Sequence, residues 1–159
     1  MSWTNADGLT ILMHEEQGEV RPHGTTVSSV RSTLVYELED GSALTDATVT
    51  INANDPFIPA DAVILTATFV VDTDFATGAS GTVDIGLYDA SGSAIAAVGG
   101  DDAIDAAVAA GALDENDVVL CDGAAVGARM TENAYVGFTY DTGAFTTGAG
   151  KLFVEYIVT

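Results

Sequence analysis

Two histidines and three glutamates lie close together near the N-terminus, and these residue types can bind zinc. The cluster consists of His14, Glu15, Glu16, Glu19 and His23. Imidazole nitrogens and carboxylate oxygens are ordinary zinc ligands, but this spacing matches no established zinc site, and Gly18 and Pro22 interrupt the segment. Solvated polar residues of a loop are the preferred interpretation, so we predict no zinc site here.

Aspartate-rich turns raise the same question for calcium, which prefers clustered oxygen ligands. The best candidates are Asp101, Asp102 and Asp105, and the acidic segment at 114–117 comes next. Neither segment follows the EF-hand or the Gly-rich calcium-repeat pattern. Because a helix cap explains the first segment and a turn explains the second, calcium is the weaker alternative, and we predict no metal and no cofactor.

The sequence contains no recognisable nucleophile with its base. Neither of the two histidines lies beside a nucleophile-elbow sequence, and no P-loop or GxGxxG motif occurs. Cys121 is the single cysteine, so an intrachain disulfide is impossible. Its apolar neighbours at 118–120 predict a buried, unreactive thiol. We therefore predict that the protein is not an enzyme.

Acidic residues dominate the charge: 24 Asp and Glu face four Lys and Arg, and the net charge is −20. Binding to nucleic acid or to an anionic membrane needs basic residues, so we predict neither as a partner. The imbalance is uneven, because residues 1–36 contain four acidic and two basic residues, whereas residues 37–159 contain twenty and two. The N-terminal quarter is therefore the least repulsive part of the chain.

Alternating apolar residues predict the elements that must position any site. Strands are predicted over 32–39, 45–53, 63–74, 82–89, 117–121, 134–140 and 152–158. The clearest is 63–74, which is predicted to place Val63, Leu65, Ala67, Phe69 and Val71 on one face. The Gly-rich connection at 78–81 predicts that 63–74 and 82–89 form an antiparallel pair.

One helix is predicted, over 101–110. Asp101 or Asp102 can cap its N-terminus, Ile104 and Val108 are four residues apart, and Gly111 can end it. The sequence shows no βαβ rhythm. The predicted fold is therefore all-β: an antiparallel two-sheet sandwich of jelly-roll type, with one short helix in a crossover and an N-terminal arm.

The first 24 residues differ from the rest of the chain, because bulky apolar residues are mixed there with glycine and charge without a clear period. At most one short strand is predicted, near residues 9–13. The segment has the composition of an arm that docks on another surface, but a first strand of the sandwich followed by a long loop fits equally well. We predict an arm over 1–24 and a β-sandwich domain over 25–159.

Several segments resemble a known group of proteins. IPADAVI at 58–64, ATFVV at 67–71 and DIGLYD at 84–89 resemble the pattern IPAGAxI, ATLVV and DIGLYDAxG of small β-sandwich proteins. These proteins are encoded among the virion genes of tailed bacteriophages, marine ones especially. DVVLCDG at 117–123, VEYI at 154–157 and the opening MSWT are similar to the same pattern. The resemblance covers most of the chain, and no catalytic residue belongs to it.

The resemblance implies a capsid decoration (cement) protein. Such a protein is made in the host cytoplasm, lies on the capsid exterior and stabilises the shell by binding the major capsid protein. It is a symmetric homo-oligomer, and the expected state is a trimer. We expect the arm to make the contact, with Trp3, Leu9, Ile11 and Met13 as apolar anchors, and with Arg21 and Arg31 as partners for an acidic shell.

The alternative is a glycan-binding module, as in a head fibre or a host-recognition component of a tail. It would need exposed aromatic side chains on a sheet face, for which Tyr88, Tyr135 and Tyr156 are the candidates. Packing within the domain is the preferred interpretation for each of them.

Overall fold

Three short strands form a small sheet near the N-terminus. The computed structural model describes residues 2–4, 10–12, 20–21, 31–46, 48–52, 54–77 and 80–159, and for the first three ranges it describes the backbone alone. Strands β1 (Ser2–Thr4), β2 (Thr10–Leu12) and β3 (Val20–Arg21) pair antiparallel in that order. The prediction of at most one strand was wrong, because strands of two or three residues are too short to show a period of two.

Eight further strands form two four-stranded antiparallel sheets. They are β4 (Arg31–Leu38), β5 (Phe57–Ile58), β6 (Ala62–Thr73), β7 (Thr82–Tyr88), β8 (Asp105–Ala109), β9 (Val118–Cys121), β10 (Ala134–Tyr140) and β11 (Ala149–Val158). Sheet 1 has the order β4-β11-β6-β9, and sheet 2 has the order β5-β10-β7-β8. The predicted all-β, antiparallel two-sheet sandwich is confirmed.

The pairing of these strands is nested. Strand β4 pairs with β11, β5 with β10, β6 with β9 and β7 with β8, so the chain pairs with itself as one long hairpin would. Successive pairs of this arrangement lie in alternate sheets: β4–β11 and β6–β9 belong to sheet 1, and β5–β10 and β7–β8 belong to sheet 2. An eight-stranded roll of this kind is the jelly-roll arrangement, and we infer that type from the nested order.

The core lies between the two sheets and is centred on aromatic rings. The Phe69 ring of β6 is fully buried and lies 5.3 Å from the Phe138 ring of β10. Tyr36 of β4 stacks on Phe138 at 5.5 Å, and Phe75 contacts Phe69 at 5.9 Å. Because these rings come from both sheets, they hold the sheets face to face.

The helix predicted over 101–110 was wrong. Gly100–Asp102 form a short 3-10 turn, and strand β8 follows it. Ala107, within the predicted range, has a φ angle of 52°, which an α-helix cannot contain. The Ile104 amide donates to the Ile85 carbonyl at 2.9 Å, and β8 continues along β7. Ile104 and Val108 are both buried although a register shift separates them along β7, so their spacing does not distinguish a helix from this irregular strand.

The strand predicted over 45–53 was also wrong, since the described residues of that range form only one bridge, between Thr45 and Thr139. Hydrogen bonds from backbone amides to nearby side chains form here in place of a β-ladder. The Thr48 amide donates to Thr45 Oγ1 at 3.3 Å, and the Asn52 amide donates to Asp55 Oδ2 at 2.7 Å. Such bonds compete with sheet pairing despite the β-branched composition.

The predicted antiparallel pair of 63–74 and 82–89 was wrong too, because β6 lies in sheet 1 and β7 in sheet 2. Both sides of β6 are already occupied, by β11 and β9. The connection at 74–81 is long enough to cross the roughly 10 Å between stacked sheets. Phe75 within it is buried, and its amide donates to the Leu113 carbonyl at 3.0 Å.

A β-bulge changes which residues of β6 face the core. Glu155 pairs with Thr66 and Tyr156 pairs with Ile64, so Leu65 is the extra residue. Ala67, Phe69 and Val71 are buried as predicted, but before the bulge Ala62 and Ile64 are the buried residues. The prediction that Val63 and Leu65 share the face of Phe69 was therefore wrong.

Candidate docking surfaces

The predicted capsid-binding residues fall partly within the N-terminal sheet. Trp3 lies opposite Ile11 in the ladder of β1 and β2, and Arg21 lies opposite Thr10 in the ladder of β2 and β3. Leu9 and Met13 lie outside the described residues, as do all five residues of the candidate zinc cluster. Two of the four predicted apolar anchors are thus directly paired.

Arg31 is the predicted binding residue whose side chain the structure describes. It begins β4, and its Nη1 lies 3.3 Å from Glu155 Oε2 of β11. The Glu155 carboxylate also accepts a hydrogen bond from Thr66 Oγ1 at 3.4 Å. The Arg31 side chain is 66% exposed and that of Glu155 is 38% exposed, so Arg31 is paired within the chain but remains on the surface.

Arg31 lies at one end of an exposed surface that the sequence did not reveal: the outer face of sheet 1, opposite the core. The strand register aligns the side chains of this face in rows that run across the sheet. The central row consists of Val35, Phe153, Thr68 and Leu120. A second row, two residues along the strands, consists of Glu37, Lys151, Val70 and Val118.

The central row ends in strongly exposed apolar side chains. Leu120 is 77% exposed, Val118 beside it is 58% exposed, and Val35 at the other edge is 44% exposed. Phe153 between them is half-buried. Scattered exposed apolar residues are normal, but adjacent ones aligned on one sheet face are typical of an interaction site.

The same face also carries the basic residues. All three basic side chains that the structure describes lie on it: Arg31, Lys151 and Arg129, which lies opposite Val63 beside β6. Lys151 Nζ lies 3.4 Å from Glu37 and 3.3 Å from Asp72, and Arg129 pairs with Asp61 at 2.8 Å. The hydrogen bond with Asp72 and the attraction of both carboxylates raise the pKa of Lys151. The ion pairs of this face join three basic residues to four acidic ones, a net charge of −1 on a chain of net charge −20, so the face is close to neutral.

The structure does not bring the three calcium candidates together. Asp101 and Asp102 are exposed, whereas Asp105 is buried and accepts a hydrogen bond from the Ala106 amide at 2.9 Å. Asp101 and Asp102 contribute to the raised pKa of Asp84, whereas Asp122 and Cys121 act on Asp105. Within the described part of the chain, no group of three His, Cys, Asp or Glu side chains is arranged to hold a metal ion.

Partial burial raises the pKa of five described groups, which are Tyr36, Asp84, Tyr88, Asp105 and Cys121. Burial raises the pKa of Asp84, with a further contribution from Asp101 and Asp102, while a hydrogen bond from the Ala107 amide opposes the shift. Burial likewise raises the pKa of Asp105. Burial and the Asp105 carboxylate raise the pKa of Cys121 to about 12, which favours the protonated thiol, and the prediction that Cys121 is buried is confirmed.

The aromatic candidates for glycan binding are used for packing. Tyr88 is buried, Tyr156 packs against the core, and the Tyr135 ring lies 5.5 Å from the Phe57 ring. An open pocket of about 240 Å³ is lined by the stacked rings of Tyr36 and Phe138 and by residues 43–45 and 48–50. Threonine hydroxyls and the Asp40 side chain give it some polar lining, but no charged group is aimed into it from a buried position.

The outer face of sheet 1 was missed because the sequence signal was ambiguous. Residues 118–121 are all apolar, so the sequence does not show which side of the strand is exposed, and only Cys121 of the four is buried. The edge position of β9, which the sequence does not specify, leaves Val118 and Leu120 uncovered.

In the described part of the chain, no helix has the length and apolar character needed to cross a membrane.

Comparisons with known proteins find a related fold. No protein-family model matches the chain, and no curated protein matches it. A chain from the capsid of Ralstonia phage GP4 is similar, with a TM-score of 0.55 and 19% identity over 87% of this chain and 92% of that one. A chain from the capsid asymmetric unit of the cyanophage Pam1 has a TM-score of 0.49 and 15% identity over 92% and 98% of the two chains. The first likeness shows a shared fold.

Proposed function

We propose that this protein is a non-enzymatic structural component of a tailed-phage particle, which binds the outer surface of the capsid and stabilises it. The observation that carries the proposal is the fold shared with a chain from the capsid of Ralstonia phage GP4, which extends over nearly the whole length of both chains. The sequence resemblance to small virion β-sandwich proteins supports the same function. The partner we propose is the major capsid protein.

The charge distribution supports a position on the outside of the shell. A net charge of −20 opposes contact with packaged nucleic acid, because such contacts need basic residues. A protein on the exterior needs no such contact, and an acidic surface keeps it soluble during synthesis in the host cytoplasm. The residues we expect at the capsid are those of the N-terminal segment, because residues 1–36 together carry a net charge of only −2, whereas residues 37–159 carry −18.

The paired register of Trp3 and Ile11 supports a docking role for this segment. Large apolar residues are typical anchors of protein interfaces, and strand pairing holds two such residues next to each other. Arg21 follows on β3 and supplies a charge partner for an acidic shell. As in the virion proteins that the sequence resembles, we propose that the protein acts as a symmetric homo-oligomer, for which the resemblance implies a trimer.

The experiment measures decoration of purified particles that lack the protein. We expect the full-length Trp3→Ala/Ile11→Ala variant, and a chain lacking residues 1–24, to lose binding while circular dichroism and thermal unfolding of the sandwich stay unchanged. Phe57→Ala is the control, because it removes a 42% exposed aromatic ring from sheet 2. Full occupancy of both N-terminal variants in an electron-microscopy map would exclude the arm as the docking element. Binding to a glycan array without binding to particles would instead favour the glycan-binding alternative.

A further inference from the structure

We propose that the outer face of sheet 1 binds the same face of a second copy, about a twofold axis that runs along the central row of Val35, Phe153, Thr68 and Leu120. The inference does not depend on the capsid function, since it concerns the isolated protein. It also differs from the trimer that the sequence resemblance implies, and the mass of the assembly distinguishes the two.

The first reason is the composition of the face. Val35, Val118 and Leu120 are exposed to water on a sheet whose other face is the core of the molecule. Phe153 lies at the centre of the row, opposite Val35 on one side and Thr68 on the other. Two such faces can stack as the two sheets of a sandwich do, with their apolar rows against each other.

The second reason is charge complementarity, which selects a second copy of this chain as the occupant. Relative to Phe153 of β11, Glu155 lies two residues toward one end of the strand and Lys151 lies two residues toward the other. A twofold rotation about the central row exchanges these two ends. It therefore places Lys151 of one copy against Glu155 of the other, twice in each pair.

The third reason is that other faces of two copies would repel each other. The described ion pairs use four of the twenty acidic residues in 37–159, and every basic partner lies on this face. The four acidic residues are Glu37, Asp61, Asp72 and Glu155. The remaining acidic side chains of the described sandwich form no ion pair. Contact through the outer face of sheet 1 brings the near-neutral surfaces together and keeps the acidic ones apart.

The size of the face predicts a weak, reversible pair. Four strands about 4.8 Å apart and seven residues at about 3.3 Å each give a face of roughly 19 by 23 Å. Two copies then bury on the order of 900 Å², which is below the roughly 1,200 Å² of standard stable interfaces. We therefore expect a dissociation constant of micromolar order.

Sedimentation equilibrium of the full chain tests the face. We expect a monomer–dimer equilibrium at about 0.15 M salt, where the screening length is about 8 Å. Leu120→Asp should weaken it at least about tenfold, because the axis places this residue near its own copy, so that two carboxylates meet. Phe57→Asp is the matched control, since it adds the same charge at an exposed apolar position of sheet 2. A monomer at every concentration, a trimer, or equal weakening by both variants overturns the proposal.

Mixing two charge variants tests the axis. Lys151→Glu alone and Glu155→Lys alone should each be monomeric, because each places like charges across the axis. Mixed together they should form a one-to-one heterodimer, seen by native mass spectrometry, in which both contacts are again between opposite charges. Glu132→Lys, in the loop before β10, is the control and should not pair selectively with Lys151→Glu. If the heterodimer does not form, the twofold arrangement is wrong.

Discussion

The ring of Phe69 in sheet 1 lies 5.3 Å from the ring of Phe138 in sheet 2, at an interplanar angle of 49°. Phe69 is fully buried and also contacts Phe75, so its ring joins both sheets and the connection that crosses between them. This contact is the centre of the sandwich.

We expect Phe69→Ala to lower the free energy of unfolding by about 3–5 kcal/mol, because it removes a large buried ring and leaves a cavity. Urea unfolding followed by tyrosine fluorescence measures the change. Phe57→Ala is the control and should cost about 1 kcal/mol or less, since its ring is exposed apart from its contact with Tyr135. Equal losses would mean that the two sheets do not share one core.

Gly123 lies where the chain passes from sheet 1 back to sheet 2, and it has no room for a side chain. Its amide donates to the Ile104 carbonyl at 2.8 Å, and a Cβ would lie 2.5 Å from the carbonyl oxygen of Ala103. We expect Gly123→Ala to destabilise the protein by about 1–3 kcal/mol, as overpacking does. Gly111→Ala is the control, because a Cβ at this position would meet no other segment of the chain within 4 Å, and it should gain about 0.4–1 kcal/mol. Thermal unfolding of the two variants checks the difference in sign.

We expect the partly buried carboxyl group of Asp84 to make the free energy of unfolding depend on pH. Burial raises its pKa above the ordinary 3.8, so the folded state binds its proton more tightly than the unfolded state does. Its contribution to stability is therefore present at acidic pH and is lost as the pH rises through the folded pKa. Asp84→Asn retains an oxygen that can accept from the Ala107 amide but carries no charge. We expect the variant to gain stability over the wild type between pH 3.8 and neutral pH.

Asp89→Asn is the matched control for this pH profile. Hydrogen bonds from Ser91 and Ser93 lower the pKa of Asp89, so its contribution is present above its ordinary pKa and is lost as the pH falls. The variant should therefore be less stable than the wild type at neutral pH, and the difference should disappear on acidification. Denaturation midpoints across the pH range give both profiles. Parallel profiles for the two variants would show that burial of Asp84 does not govern its protonation.

The sequence alone determined the local elements of the sandwich. Alternation over 134–140 matches β10, and the runs at 32–39 and 82–89 match β4 and β7 within a residue at each end. These strands are long, and the apolar side chains that face the core recur with the period of the backbone, although β7 and β10 also bury residues of their other face. The charge and the buried Cys121 were also predictable, because they depend on composition and on immediate neighbours.

Only the tertiary structure decided which strands pair and which faces remain exposed. The extra residue Leu65 reverses the inward face of β6, and the register shift that creates it depends on β11, which lies more than eighty residues later in the chain. Asp105–Ala109 is a strand because β7 offers it an edge, although its sequence suits a helix. The exposure of Leu120 depends on the edge position of β9. These features arise from contacts between distant segments, whose energies a local pattern does not contain.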